Sequence, residues 1–132
     1  MNVEARDLWN RAQDALRVAK EVVSLSPDSA AASAYYAAFY AVSAHFALAG
    51  RTFRKHAAID AAVHRDLVKG EGWPARLGSA YRELNRLRDV GHYGGSQHVP
   101  PEEAKRAFEM AAEIVRAVAA LHPDVFSGPE GG

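Results

Sequence analysis

Apolar side chains recur along this chain at intervals of three and four residues, the pattern of helices that turn one face inward. Between Glu4 and Leu25, the residues Leu8, Ala12, Ala15, Leu16, Ala19, Val22 and Val23 fall on one side. Arg6, Asp7, Arg11, Asp14, Arg17 and Glu21 fall mostly on the other. Ser26-Pro27 ends this first helix, and Asp28 or Ser29 is placed to cap a second. The second carries Tyr36, Phe39, Tyr40, Ser43 and Phe46 at helical spacing, with Gly50 at its C-terminal end. Its small residues, Ala37, Ala38, Ala41, Ala44 and Ala47, allow another helix to approach closely, which marks it as the central one. A third helix is predicted from about Lys55 to Val68, stopped by Gly70 and Gly72. A fourth starts near Pro74, a good first-turn residue, and runs through Leu77, Tyr81, Leu84, Leu87 and Arg88. It frays near Gly91 and stops at Gly94-Gly95. Pro100-Pro101 opens a fifth, with Ala104, Phe108, Ala111, Ala112, Val115, Val118 and Ala119 inward, and Pro123 closes it. The pattern predicts an all-α, antiparallel up-and-down bundle of about five helices. It forms a single domain over residues 1–126, followed by a disordered tail over 127–132.

Composition supports this reading. Alanine dominates the apolar set and β-branched residues are sparse, a bias that favours helix. A chain of 132 residues can bury one small core, and 48% apolar with 24% charged residues is the balance of a folded domain. Sixteen basic residues offset sixteen acidic ones, so no broad electrostatic grip on nucleic acid is predicted. Contact with phosphate must come from a local cluster, and near-neutrality eases self-association. The absence of cysteine rules out disulfides and thiolate chemistry. The first residues lack the basic-then-apolar pattern of a signal peptide. The most apolar stretch, Ala30 to Ala49, includes Ser33, Ser43 and His45 and reads as a buried helix, not a membrane span. A cytoplasmic location is expected.

The segment from Arg82 to Tyr93 carries the most chemistry. Residues four apart on a helix share a side, so Arg88 and His92 project together. Tyr81, Leu84 and Arg88 form one line, which puts Arg88 on or beside the apolar stripe. A guanidinium there is costly to desolvate unless it is paired, hydrogen-bonded or facing a cleft. Arg86 falls instead with Arg82, Glu83 and Asp89 on the outward face. Spacing alone leaves two readings open. In one, Arg88 is a core-edge arginine paired with Asp89 or a neighbouring glutamate, and His92 is a helix-end histidine favoured by the helix dipole. In the other they form a site, with histidine as proton-transfer group and arginine as a charged fork for phosphate. Tyr93 by itself is a packing aromatic.

Two further clusters stand out. His56, Asp60 and His64 are four apart and share a face, a spacing able to hold a metal, although an exposed face of the third helix accounts for them better. No metal and no cofactor is expected. Arg51, Arg54, Lys55, His56 and Arg65 make either a solvated charge run or a phosphate-contacting patch.

Taken in order, these stretches resemble the HEPN superfamily, in particular its small stand-alone prokaryotic proteins. The resemblance rests on Tyr35-Tyr36-Ala37-Ala38-Phe39-Tyr40-Ala41-Val42-Ser43-Ala44, Arg54-Lys55-His56, Leu87-Arg88-Asp89-Val90-Gly91-His92-Tyr93 and Pro101-Glu102-Glu103-Ala104, and covers about Asp7 to Leu121. It implies a helical bundle, commonly a homodimer, and in catalytic members a metal-independent endoribonuclease. There an Arg, four to six residues and a His lie near the dimer interface. Many small members pair with a minimal nucleotidyltransferase, as toxin with antitoxin or as a nucleotide-binding subunit. Arg86 to His92 fits that spacing, whereas Arg88 stands where relatives without the His carry Arg, two or three residues, then Asp-Tyr. The catalytic set so implied is Arg88, His92 and Arg86, and the substrate-binding set is Tyr93, Asp89, Arg54, Lys55 and His56, with RNA or a nucleotide as ligand. The alternative implied function is a non-catalytic, nucleotide-binding partner of the nucleotidyltransferase. In some such pairs a tyrosine after the His is nucleotidylated; it usually stands one residue beyond the position of Tyr93.

Overall fold

The computed structural model describes residues 3–93 and 95–126, with His92 and Tyr93 described by their backbone alone. The helices are α1 (Val3–Val22), α2 (Pro27–Leu48), α3 (His56–Ala62), α4 (Ala75–Tyr93) and α5 (Pro101–Leu121). A π-helical segment, Val63–Lys69, continues α3, and no strand is found among the described residues. Gly94 and the tail over residues 127–132 lie outside the described residues, so the expectation of a disordered tail is not addressed there.

The bundle is organised around α2. Ser26, not Asp28 or Ser29, caps it: its Oγ accepts the backbone N–H of Ser29 at 3.2 Å, and Pro27 fills the first turn, where a missing N–H does no harm. α2 is buried on almost every side, packed by α1, α4 and α5, and its alanines allow these helices to come close. α1 buries Ala5, Trp9, Ala12, Leu16 and Ala19 along a single stripe and leaves ion pairs such as Asp7–Arg11 (2.9 Å) on its outer face. It ends at Val22, three residues before the expected Leu25, which is exposed.

The third element differs from the uniform α-helix expected. From Val63 onward the backbone widens, and the Gly70 N–H reaches back five residues to the carbonyl of Arg65 at 3.2 Å. Val63 and Leu67 both stay buried, and the following turn passes through Gly72, whose φ of +74° suits glycine. The Trp73 N–H then closes the turn on the carbonyl of Leu67 at 3.0 Å.

Gly91 was expected to fray the fourth helix. It lies in the last turn of α4, which ends at Tyr93 just before Gly94-Gly95, and a Cβ there would stand 2.7 Å from the backbone carbonyl oxygen of Asp28. Glycine is therefore what lets α4 meet the N-terminus of α2. Asp28 also holds the segment that follows α4: its carboxylate accepts the Val99 N–H at 2.7 Å and bonds His98 Nδ1 at 2.6 Å. At the opposite end of the bundle, His45 Nδ1 and His122 Nε2 meet at 2.8 Å, and Phe126 stacks on Trp9 with ring centres 4.6 Å apart. No helix among the described residues is long and apolar enough to cross a membrane.

Candidate functional site

Arg88 is drawn against α2 by its place on α4 and becomes the centre of a cluster of polar and aromatic side chains. Only 14% of its side chain is exposed. The guanidinium lies over the ring of Tyr35, 4.9 Å from its centre, and Nη2 donates to Asp89 Oδ1 at 2.9 Å. Its Nε is buried without a hydrogen-bond partner among the described residues. Burial works against the charge, but the Tyr36 hydroxyl, Asp89 and Tyr35 more than offset it and hold the group above its ordinary value. Arg88 is thus a permanent cation, neutralised in part by one half-exposed carboxylate.

His56, at the start of α3, stacks on the same Tyr35 ring. Its Nδ1 meets the Tyr35 hydroxyl at 2.5 Å, and its ring lies flat on Phe39 with centres 4.6 Å apart. Burial and then the charge of Arg88 push its pKa below the ordinary imidazole value, with Asp89 opposing. The Tyr35 ring also touches Tyr36 and Tyr81, and burial pushes its hydroxyl up to about 12, so it stays protonated. Tyr36, Phe39 and Tyr40 are half-buried and form an aromatic shelf along α2.

The expected site residues are thereby sorted. Arg88, Asp89 and His56 come together, while Arg54 and Lys55 are exposed just ahead of α3. Arg86 bonds Glu83 on its own helix through Nη2 at 2.6 Å, and the same nitrogen lies 3.7 Å from Glu103 of α5. The backbone of His92 and Tyr93 ends α4, but their side chains lie outside the described residues. The His56, Asp60 and His64 face is not the exposed surface expected. His56 packs on Phe39, Asp60 Oδ1 is buried, and His64 Nε2 lies 3.1 Å from Arg82. No group of three ligating side chains is gathered for a metal among the described residues. Arg51 and Arg65 both bond Asp66, which makes that part of the basic cluster an ion-pair network.

Sequence reading does not single out Tyr35 or the true role of Asp28. Tyr35 is one of five phenylalanines and tyrosines on α2, and nothing local identifies it as the ring beneath Arg88. Asp28 read as a helix cap, because its true partners stand 70 and 71 residues away.

Comparison with known proteins agrees with this architecture. The family model described as the HEPN domain matches residues 5–121. The chain is also 33% identical over 91 residues to a UPF0332 protein of Thermotoga maritima, a match that covers 69% of each chain.

Proposed function

The chain belongs to the HEPN domain family, and from that premise we propose that it is an RNA-cleaving enzyme whose phosphate anchor is Arg88. The observation that carries this reading is the state of Arg88: a nearly buried guanidinium with one carboxylate partner, on an aromatic floor, beside a neutral histidine. Such a cation has charge to spare for a phosphodiester and a geometry that orients it. Cleavage needs no metal in this scheme. A base removes the 2′-OH proton, the 2′-oxygen bonds to phosphorus, the bond to the 5′-oxygen breaks, and an acid protonates that oxygen. Arg88 stabilises the charge on the phosphorane, and His92, one turn beyond Arg88, exchanges a proton across a two-fold homodimer cleft. Pairing with a minimal nucleotidyltransferase as toxin and antitoxin is part of the same reading.

The test is incubation of the purified protein with a fluorescent single-stranded RNA in the presence of a chelator. The expected products carry 2′,3′-cyclic phosphate and 5′-hydroxyl ends, with the rate reduced about 100-fold or more in Arg88→Ala. A His92→Ala protein that cuts as fast as the parent removes His92 from the mechanism. The half-buried shelf of Tyr36, Phe39 and Tyr40 favours a second reading, a nucleotide-binding subunit without catalysis. Saturable nucleotide binding with intact RNA after prolonged incubation identifies that case.

A further inference from the structure

The scheme above needs a proton acceptor and a proton donor and names only His92. The cluster around Arg88 holds a second imidazole. His56 is anchored at Nδ1 by the Tyr35 hydroxyl and on its face by Phe39, so the ring is fixed in place. Its Nε2 has no hydrogen-bond partner among the described residues, and the side chain is partly exposed. A hydroxyl can donate to Nδ1 or accept from Nδ1–H. With Nδ1–H donating to the Tyr35 hydroxyl oxygen, Nε2 is the nitrogen with a free lone pair, as a base acting there requires. Arg88 lies over the same tyrosine ring, and its charge is felt at His56. Arg54 and Lys55, exposed immediately before His56, add positive charge at the entrance.

We infer that His56 is the ribose-side contact of a ribonucleotide phosphate seated on Arg88, and that its Nε2 accepts the 2′-OH proton within a single protomer. The inference rests on the reading of Arg88 and its neighbours as a phosphodiester site and adds a second proton-transfer group to it. In the step, the 2′-OH proton passes to His56 Nε2, the 2′-oxygen bonds to phosphorus, and the 5′-oxygen leaves with a proton from His92. Burial keeps His56 neutral and ready to accept a proton.

The experiment follows the His56 imidazole by NMR in the intact wild-type protein, its signal assigned by its loss in His56→Gln. Uridine 3′-monophosphate is the added ligand. The expected result is that the His56 titration midpoint moves up by about one pH unit on saturation, because a phosphate dianion favours the imidazolium. The shift should vanish in Arg88→Met. A His56 midpoint that stays put in saturating ligand overturns the inference, whatever the protein does to RNA. The RNA assay run alongside reports on the nuclease reading separately. A protein that binds the 3′-phosphate at His56 yet leaves RNA intact loses that reading and the proton transfer, and keeps the contact. If RNA is cut, His56→Gln is expected to slow single-turnover cleavage about 100-fold. The low-pH limb of the rate profile should go with it. Parental rate and profile in His56→Gln overturn the proton transfer.

Discussion

Arg88 is useful to RNA only if its plane and its charge act together, and a lysine separates the two. Arg88→Lys keeps a cation near Asp89 but loses the flat contact with Tyr35 and the two-donor edge for phosphate. RNA affinity at low salt is expected to fall about tenfold, read by fluorescence anisotropy, and further in Arg88→Ala. Equal affinity for Arg88→Lys would mean that only net charge matters. Helical phase was enough to single out Arg88, because the line through Tyr81 and Leu84 is a local property of one helix. Which of Tyr35 and Tyr36 lies beneath it depends on how α2 and α4 cross. No spacing within either helix encodes that.

Two glycines in α4 make opposite predictions from similar distances. At Gly78 an added Cβ would meet His64 Cε1 at 2.8 Å, the far end of a side chain that can turn aside. At Gly91 it would meet the carbonyl of Asp28 at 2.7 Å, part of the backbone of another helix. Replacing glycine with alanine in a helix contributes about 1 kcal/mol, whereas forcing two packed helices apart costs about 1–3 kcal/mol. Gly78→Ala is therefore expected to be neutral or mildly stabilising. Gly91→Ala should lower the urea midpoint clearly, and a parental midpoint would show that α2 and α4 do not meet so closely. The same comparison explains what could be read ahead of the structure. Each helix announced itself through its apolar stripe, but Gly91 looked like a helix breaker, since a local pattern cannot show the neighbour that requires it. The π-helical segment was hidden for a related reason: Val63 and Leu67 keep a four-residue spacing that an α-helix would also show. His56 was legible as part of a basic run, and its packing on Phe39 was not.

Across the molecule, acid should loosen the fold in two stages. Burial is the first cause that lowers His45, His122 and His56 below the ordinary imidazole value of 6.5, and His45 also feels His122. A histidine with a depressed value contributes stability that is complete above 6.5 and is lost as pH falls through its folded-state value. The His45–His122 contact adds a reason, since two protonated rings cannot share a hydrogen bond. Asp28 follows in a lower window. Its hydrogen bonds to His98 and then to the Val99 N–H hold it below 3.8, so its contribution is present above that value and disappears beneath it. Thermal melts are expected to show a midpoint that falls as pH is lowered below 6.5, with a shallower slope in His45→Gln. An unchanged slope would exclude the histidine pair as its source.

The stack of Trp9 on Phe126 joins residues separated by nearly the whole described chain. During synthesis the first helix emerges first, while Phe126 follows all five helices from the ribosome. The Trp9–Phe126 stack therefore forms only after every other helix has been made. α1 and α2 can pack as soon as both are made, and the Trp9–Phe126 stack closes over them only once α5 is complete.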